Sequence, residues 1–393
     1  MDDWRDIRVG DLVDAGLLVV SDGHRVRNEE LGPVGIPFVR GGDIGDGWID
    51  TNVADHVRPE LADRVAPKLS QPGDVAIITK GSVGRVGRLR DGQSTIVLAP
   101  QVSWWRVLDR DVIDPTFLFH LLRGPSFQAS LYSVMTHGSM VADYVSISQQ
   151  LDFSLRLPPI LEQRRIAGIL GALDDKIELN RRLVLTLEGL ARAAYAELQA
   201  TRADECSAGS IADVALNPRD QVDPRQVDPS TPYIGLEHVP RSRMVLGEWG
   251  QAVNAESGKM AFQRNDILFG KLRPYFRKVG VVPTSGICST DILVIRTRRP
   301  EDLGYVLAVA TDAAFIEASN AASTGTRMPR TSWGDLVRYP LLVPPTSARA
   351  AFTKRVWPLI ERAQAAVFET RTLEQIRDTL LPRLLSGDIE VAA

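Results

Sequence analysis

The sequence repeats one series of motifs along the chain, and this internal repeat constrains the fold more than any other feature. Residues 157–166 read LPPILEQRRI and residues 343–352 read VPPTSARAAF, and each opens a long charged stretch with regularly spaced apolar residues. Four earlier motifs match in the same order: RVGDLVD with SIADVAL, PFVRGGDI with PYIGLEHV, PGDVAIITK with RNDILFGK, and THGSM with STGTR. Five matches in one order predict two copies of a single domain, each followed by a helix.

Each copy contains short apolar runs with the composition of β-strands. Val75–Ile78 and Ile292–Ile295 are such runs, and Gly, Pro, Asp and Asn residues, which are typical of turns, lie around them. The sequence therefore predicts the α+β class, with two pseudo-repeated globular domains separated by long helices.

The two long stretches have the residue spacing of coiled-coil helices. Seam positions recur at alternating intervals of four and three residues, which places them in one stripe. They are Leu170, Leu173, Ile177, Val184, Leu187, Ala191 and Ala194 in the first stretch, and Val356, Leu359, Ala363, Ala366, Thr370, Leu373 and Leu380 in the second. We predict that the two helices pack as an antiparallel coiled coil and place the two domains at opposite ends of one rod.

Prolines are expected to set the ends of these helices. Pro158 suits a first turn, because the missing N–H of proline would have no partner there. A helix from Leu161 to Gln199 would be roughly 60 Å long at about 1.5 Å per residue. Pro358 and Pro382 each remove a backbone hydrogen bond, so the straight part of the second helix is expected to start near Pro358 and to bend near Pro382.

Each seam is interrupted by a residue with a strongly polar side chain. Arg377 takes such a position in the second helix, and Asn180 takes one in the first. Asn180 either fixes the register by binding a polar partner or faces solvent at a loose contact.

We divide the chain into a first globular domain (1–157), a central helix (158–203), a second globular domain (204–343) and a C-terminal helix (344–393) that pairs with the central one.

The composition excludes several classes of protein. The 393 residues carry a net charge of −3, so any DNA-binding surface has to be local rather than spread over the chain. Cys206 and Cys288 lie far apart without a C-x-x-C partner, which argues against a disulfide framework and against a cysteine zinc site. The charged N-terminus and the lack of an apolar run of about 20 residues predict a cytoplasmic protein that does not enter a membrane.

The motifs of common catalytic sites are missing from the sequence. It has no G-x-x-x-x-G-K-[ST] loop, no G-x-G-x-x-G loop after a strand and no H-E-x-x-H. DPTF at residues 114–117 comes close to the Asp-Pro-Pro-aromatic motif of amino-group DNA methyltransferases, but Thr116 replaces the second proline. The structural interpretation is that Asp114 caps a helix with Pro115 in its first turn. We therefore expect no catalytic, metal or cofactor site in this chain.

Two basic loops follow equivalent predicted strands. KGSVGRVGRLR at residues 80–90 and KLRPYFRK at residues 271–278 contain no acidic residue. One interpretation is a DNA surface, in which cations neutralise phosphates and one or two arginines read guanine edges; the other is a pair of solvated surface loops. The candidate DNA-binding residues are Lys80, Ser82, Arg85 and Arg88 in the first loop, and Lys271, Arg273, Arg277 and Lys278 in the second.

A second pair of matched loops surrounds Gly138 and Gly325. Glycine lets a DNA backbone approach closely, and neighbouring side chains can donate to phosphate or base; the alternative is that each glycine only makes a tight turn. The candidates here are His137, Ser139, Thr324, Thr326 and Arg327. Trp104, Trp105, Tyr275 and Phe276 either stack on bases or belong to the core, and we leave them out of the candidate set.

Several stretches resemble the specificity (S) subunits of type I restriction–modification systems. They are LPPILEQRRIAGILGALDDKIELNRRL, YIGLEHV, NDILFGKLRPYFRKVGVV and RDTLLPRLLSGDI, and the order of domain, helix, domain, helix extends the resemblance over essentially the whole chain. The resemblance implies that residues 1–157 and 204–343 are target-recognition domains, each binding one half of a split double-stranded DNA target. It also implies that the helices set the distance between the halves and carry the docking surface for partner subunits.

The resemblance further implies partners whose chemistry lies outside this chain. Two methyltransferase (M) subunits would bring S-adenosylmethionine and flip out the target adenine. Restriction (R) subunits would bring ATP and Mg²⁺ for translocation and cleavage. Because the two basic loops differ, we expect an asymmetric bipartite target whose halves lie about one helical turn apart.

Two other functions fit parts of the sequence. One is a restriction or methylation enzyme with a highly diverged catalytic domain, which predicts activity of the purified chain with S-adenosylmethionine or Mg²⁺. The other is a coiled-coil scaffold whose paired domains bind proteins rather than DNA. DNA binding through phosphate contacts weakens steeply with salt, whereas an apolar protein interface changes little.

Overall fold

The computed structural model describes residues 4–135, 144–201, 205–254, 257–322, 329–389 and 391. They form two compact units: unit 1 comprises Met1–Asp175 with Glu374–Ala393, and unit 2 comprises Lys176–Leu373. Each unit thus combines one globular domain with part of each long helix. The four-segment division made from the sequence stays a prediction.

The globular part of unit 1 mixes short strands and short helices. Its strands are β1 (Arg5–Arg8), β2 (Leu18–Asp22), β3 (Leu31–Gly32), β4 (Ile36–Val39), β5 (His56–Val57), β6 (Leu69–Ser70), β7 (Val75–Ile78), β8 (Val86–Arg88), β9 (Ile96–Leu98), β10 (Val102–Val107) and β11 (Ser154–Leu157). Its helices are α1 (Val9–Asp14), α2 (Ala62–Val65), α3 (Pro115–Arg123), α4 (Pro125–Ser133) and α5 (Ile147–Leu151), and α6 (Ile160–Thr201) follows them.

The globular part of unit 2 has a matching series of elements. Its strands are β12 (Ser207–Gly209), β13 (Ala215–Leu216), β14 (Gln221–Val222), β15 (Pro232–Ile234), β16 (Gly250–Gln251), β17 (Lys259–Phe262), β18 (Ile267–Gly270), β19 (Val279–Val281), β20 (Gly286–Cys288), β21 (Ile292–Thr297) and β22 (Leu341–Val343). Its helices are α7 (Leu303–Thr311), α8 (Ala313–Ala321) and α9 (Trp333–Arg338), and α10 (Thr346–Ser386) follows them.

The sheets show that the repeat read from the sequence is a repeat of topology. Each unit has a four-stranded antiparallel sheet, β2-β10-β7-β8 in unit 1 and β13-β21-β18-β19 in unit 2. Each also has a five-stranded sheet with one parallel pair, β4 with β9 and β15 with β20. The fifth strands differ, because β3 extends the edge at β5 whereas β14 extends the edge at β17. The α+β class and the two pseudo-repeated, sheet-rich domains are confirmed.

The four-stranded sheet is the middle layer of each unit. Side chains alternate between the two faces of a strand, and in β18 Ile267 and Phe269 pack on the helical side while Leu268 packs toward the five-stranded sheet. In unit 1, Trp105 packs on the helical side of the four-stranded sheet and Trp104 packs on its other side, and both are buried. The core interpretation of these two tryptophans is therefore confirmed.

One ion pair recurs at the matched PGDVAIITK and RNDILFGK motifs. The buried Asp74 carboxylate accepts two hydrogen bonds from Arg106, at 2.8 and 2.7 Å. Asp266 accepts the same two bonds from Arg296 at the same distances. Each aspartate thus ties the residue before one strand to the neighbouring strand of the middle sheet.

The paired prolines recur because each long helix begins against the domain before it. In α6, the Gln163 Nε2 donates to the Pro158 carbonyl at 2.9 Å, and its Oε1 accepts from the Asp114 N–H at 3.0 Å. In α10, Arg349 donates to the Pro344 carbonyl and, at 2.6 Å, to Asp302. A buried side chain five residues after the first proline therefore fixes the start of each helix to the segment that precedes α3 or α7.

The two long helices are confirmed. The helix predicted over Leu161–Gln199 is α6. The helix α10 begins at Thr346 and continues through both prolines, so neither proline ends it. That its straight part starts near Pro358 and that it bends near Pro382 stay predictions. Pro358 is exposed, and the buried Phe352 before it and Ile360 after it hold both flanking turns on the core, so one missing hydrogen bond does not end the helix.

Within unit 2 the two helices lie side by side and antiparallel. Asn180 donates to Glu369 at 2.9 Å, and further along Arg355 pairs with Glu197 at 2.7 Å. Asn180 is 1% exposed, so the first interpretation of this residue, a polar partner in the seam, is confirmed. Lys176 completes the group by contacting both the Asn180 amide and Glu369.

Candidate nucleic-acid interface

The first basic loop forms the turn of the β7–β8 hairpin in unit 1. Gly81 and Gly84 adopt φ angles of +90° and +96°, which L side chains rarely adopt, so the turn requires glycine. Lys80, Ser82 and Arg85 are exposed on this turn. Arg85 donates one hydrogen bond to the Ile44 carbonyl at 3.2 Å, which orients its guanidinium.

Arg88, also predicted to bind DNA, lies on the opposite side of the same hairpin. Its guanidinium donates to the Thr116 hydroxyl, and its Cζ lies 5.4 Å from the centre of the Phe119 ring. Burial, followed by the nearby Arg90, lowers the pKa of the Arg88 guanidinium. Arg88 is therefore engaged with α3, whereas Lys80, Ser82 and Arg85 are presented to solvent.

The second basic loop connects β18 to β19 in unit 2. Arg273 and Arg277 flank the 3-10 turn Pro274–Phe276, and Arg277 pairs with Glu317 at 3.0 Å. Lys271 and Lys278 donate to the carbonyls of Thr290 and Leu236. Partial burial lowers the pKa of both lysines, and a neighbouring arginine, Arg330 for Lys271 and Arg241 for Lys278, lowers it further.

In each unit a β-bridge joins the basic loop to the segment that follows the predicted glycine loop. Lys80 pairs with Tyr144, and Leu272 pairs with Arg330. The basic loop and the glycine loop of each unit are separate motifs of the sequence, and the fold pairs each basic loop with a residue that follows the glycine loop, Tyr144 in unit 1 and Arg330 in unit 2. The candidates His137, Ser139, Thr324, Thr326 and Arg327 lie outside the described residues.

Unit 2 has a polar cleft beside its basic loop. The cleft has a volume of about 650 Å³, and its lining includes Asn217, Arg219, Lys271, Arg330 and Arg338. Asp335 neutralises Arg338 at 2.8 Å, and Arg330 pairs with Asp291. Sequence reasoning missed Arg219 and Arg330, because only the tertiary fold places them next to Lys271.

Aromatic residues at the two loops fall into two groups. Trp104 and Trp105 are core residues, and Phe276 is partly covered by the Arg241 guanidinium, whose Cζ lies 4.0 Å from the ring centre. Tyr275, in contrast, is 49% exposed. The sequence did not distinguish Tyr275 from its neighbour.

The described residues do not form a metal site or a membrane-spanning helix, and Asp114 has a structural role. The described residues contain no cluster of three His, Cys, Asp or Glu side chains arranged to hold a metal ion. In the same part of the chain, no helix has an apolar stretch of the length that a bilayer span requires. Asp114 caps α3 by accepting from the Thr116 and Phe117 N–H groups at 2.9 and 2.8 Å, which confirms the structural interpretation of DPTF.

In sequence and in fold, the chain is similar to the specificity subunits of type I restriction–modification systems. It is 21% identical over 185 residues to the type I restriction enzyme MjaVIII specificity subunit of Methanocaldococcus jannaschii, a match that covers 46% of this chain and 42% of that protein. It is 27% identical over 107 residues to the EcoDI specificity subunit of Escherichia coli, covering 27% of this chain and 24% of that protein. The matches thus span less than half the length of these curated relatives, and no family model matches the chain.

The fold of the whole chain matches that of a solved S subunit. The type I restriction–modification S subunit from M. genitalium aligns with a TM-score of 0.59 and 15% identity, covering 97% of this chain and 96% of that one. At this identity the match shows the fold alone. The resemblance to specificity subunits that the sequence motifs indicated is confirmed.

Proposed function

We propose that this chain is the DNA-recognition subunit of a type I restriction–modification complex and that each globular domain binds one half of a split DNA target. The observation that carries the proposal is the repeated arrangement of a basic hairpin joined by a β-bridge to the segment that follows the glycine loop, at Lys80–Tyr144 in unit 1 and Leu272–Arg330 in unit 2. Two equivalent cationic surfaces in one chain suit two contacts on a duplex.

The proposed target is asymmetric. The hairpin of unit 1 turns through glycines at Gly81 and Gly84, whereas that of unit 2 turns through Pro274, Tyr275 and Phe276. The side chains available to contact base edges therefore differ in kind between the units. Because phosphate contacts position a protein and base contacts specify sequence, different side chains on an equivalent frame predict two different half-sites.

The partners and cofactors are also proposals. Two methyltransferase subunits would supply S-adenosylmethionine and the methyl-transfer chemistry, and restriction subunits would supply ATP- and Mg²⁺-dependent cleavage. We propose the long helices as their docking surface, since Leu179, Leu185 and Leu190 on α6 are 59%, 53% and 53% exposed. Apolar side chains exposed in this number on one helix favour contact with a partner.

Salt dependence tests DNA binding against the alternative of a scaffold that binds only proteins. The complex of this chain with its methyltransferase subunits is titrated with duplex DNA at several salt concentrations, as wild type and as the variant Arg273→Ala/Lys278→Ala. Each lost phosphate contact reduces the slope of log K against log salt by about 0.9. We expect a steep slope for the wild type and a shallower one for the variant; Arg298→Ala, a change of a cation outside the two basic loops, is the control.

If the stably assembled complex does not bind duplex DNA, or binds it with an affinity that does not depend on salt, the result would instead support the protein-binding scaffold. Methyl transfer or cleavage by the isolated chain would support the diverged enzyme. The DNA-recognition subunit, the protein-binding scaffold and the diverged enzyme thus predict three different results in these measurements.

A further inference from the structure

Unit 2 presents one exposed aromatic side chain in the middle of its basic hairpin. Tyr275 is 49% exposed, and its ring contacts Phe276 edge to face with the centroids 4.7 Å apart. Phe276 supports Tyr275 from below and is itself covered by Arg241. The ring of Tyr275 is therefore accessible to a binding partner on a structured turn.

The turn that carries Tyr275 is rigid and strained. Arg273 and Arg277, the residues on either side of it, have φ angles of 49° and 52°. Non-glycine residues rarely adopt this left-handed conformation, and such positions cluster where a protein binds a ligand. The strained backbone is held on both sides, because the Arg273 N–H donates to the Pro329 carbonyl and the Ser242 N–H donates to the Arg277 carbonyl, each at 2.9 Å.

The side chains around Tyr275 are cationic, which identifies the kind of partner. Arg241 and Arg273 lie 4.0 and 5.9 Å from the Phe276 ring centre, and Lys278 follows on the same turn. Arg277 on this turn is paired with Glu317, whereas Arg241 and Arg273 lie over the neighbouring ring. An exposed aromatic side chain on a turn with such cations fits a polyanion with flat faces, since bases stack on the ring while phosphates pair with the cations.

Unit 1 also has exposed tyrosines beside its basic hairpin, on segments other than the hairpin itself. Tyr144, which forms the bridge with Lys80, is 48% exposed, and Tyr132, beside Ser82 and Gly84, is 47% exposed. The fourth exposed aromatic side chain in the described part of the chain is Phe368, which packs against Trp249. Exposed tyrosines therefore concentrate at the two basic hairpins.

We infer that Tyr275 is a specificity-determining residue that stacks its ring against a base of the half-site bound by unit 2. This inference rests on the proposed DNA recognition and goes beyond it by assigning a base contact to one side chain. The cations of the hairpin give affinity for any duplex, whereas the ring makes a contact that depends on how readily a particular base step opens.

The test compares Tyr275→Ala and Tyr275→Phe in the complex with methyltransferase subunits, using the duplex target identified by methylation mapping and a scrambled duplex. Loss of one base–aromatic stack is expected to weaken target binding by about 5- to 150-fold. Binding to the scrambled duplex is expected to stay unchanged, and Tyr275→Phe to bind the target like the wild type. Val253→Ala, a change at a 64% exposed apolar residue outside the hairpin, is the matched control.

A second readout detects the contact directly. 5-Iodouracil is placed at each thymine position of the target, and ultraviolet cross-links are mapped on the protein. We expect Tyr275 to cross-link only within the half-site that changes when residues 204–343 are exchanged. Equal weakening on target and scrambled DNA, target binding by Tyr275→Ala that equals the wild type, or cross-links that avoid Tyr275 would each overturn the inference. A wild-type complex that binds both duplexes equally would instead overturn the proposed function itself.

Discussion

Replacing Asp174 is expected to destabilise unit 1 more than any other single change of charge in it. The Asp174 carboxylate, 6% exposed, accepts from Arg123 and Arg377 at 3.1 and 3.0 Å, and both guanidiniums have side chains only 5% exposed. His120 Nε2 lies 3.8 Å from the same carboxylate. One anion in α6 thus neutralises two buried cations, one from α3 and one from α10.

The expected cost follows from this burial. Removing one partner of a buried ion pair leaves an uncompensated charge and costs about 3–5 kcal/mol. Asp46 also contacts Arg123 and Arg377, at 3.0 and 3.6 Å, and Asp378 contacts Arg377 at 2.8 Å. Their side chains are 64% and 63% exposed, so they offset only part of this cost. We expect Asp174→Asn to cost at least about 3 kcal/mol and Asp46→Asn, the matched control at the same two arginines, to cost less than about 1 kcal/mol.

The assay is urea unfolding followed by pulsed hydrogen exchange and mass spectrometry, which separates peptides of unit 1 from those of unit 2. With a urea slope of about 2 kcal/mol per M, a loss of 3 kcal/mol lowers the midpoint of the unit 1 peptides by about 1.5 M. Asp46→Asn is expected to shift it by less than about 0.5 M. Equal shifts for the two variants, or an unshifted midpoint for Asp174→Asn, would refute the reasoning that burial determines the strength of this cluster.

Three further predictions follow from the same structure. Burial, and then Arg123, hold the pKa of His120 well below its usual 6.5, so the unfolded chain takes up a proton that the folded chain does not. Unit 1 should therefore lose stability as the pH falls below about 6.5, by at most about 1.4 kcal/mol per pH unit. His120→Gln should remove this pH dependence in urea titrations at pH 7.5 and 5.5. Asp74→Asn and Asp266→Asn should each lower the free energy of unfolding of their own unit by about 1–3 kcal/mol, because the two carboxylates accept equivalent hydrogen bonds. The same peptide-resolved unfolding measures both losses, and a difference of more than about 2 kcal/mol between them would contradict the equivalence of the two sites. Burial raises the pKa of the Cys288 thiol to about 12, whereas Cys206 is less buried. A thiol-reactive dye should therefore label only Cys206 in the native chain and both cysteines after denaturation. Rapid labelling of Cys288 in the native chain would contradict its burial.

Much of the fold could be predicted because the chain encodes it twice. Asp74 and Asp266 match in the sequence, and in the structure each accepts from an arginine on the equivalent neighbouring strand, Arg106 and Arg296. The helix α6 was predictable from seam spacing, since a narrow apolar stripe has one period. Whether Pro358 ends or merely interrupts the hydrogen bonding of α10 could not be predicted, because the cost of an interior proline depends on whether the turns on either side are held by tertiary contacts, which sequence spacing does not report.

The candidate site was predictable by loop but not by side chain. Composition marked both basic loops, yet Arg88 turns toward α3 because it lies within β8, where neighbouring side chains point to opposite faces. Tyr275 and Phe276 are adjacent in sequence, and only the left-handed residues around them leave one exposed and the other covered. Arg330 joins the site through a β-bridge to Leu272, a contact between distant segments that no local pattern encodes.

The central claim is that the two domains of this chain choose the two halves of a methylated DNA target. The most direct measurement co-expresses the chain with the methyltransferase subunit of the same system and maps methylated adenines across a genome by single-molecule sequencing. It is repeated without the chain and with residues 1–157 exchanged for those of another specificity subunit. The account predicts a split, asymmetric motif that requires the chain and changes in one half only after the exchange. A motif that persists without the chain, or that changes in both halves after the exchange, would contradict it.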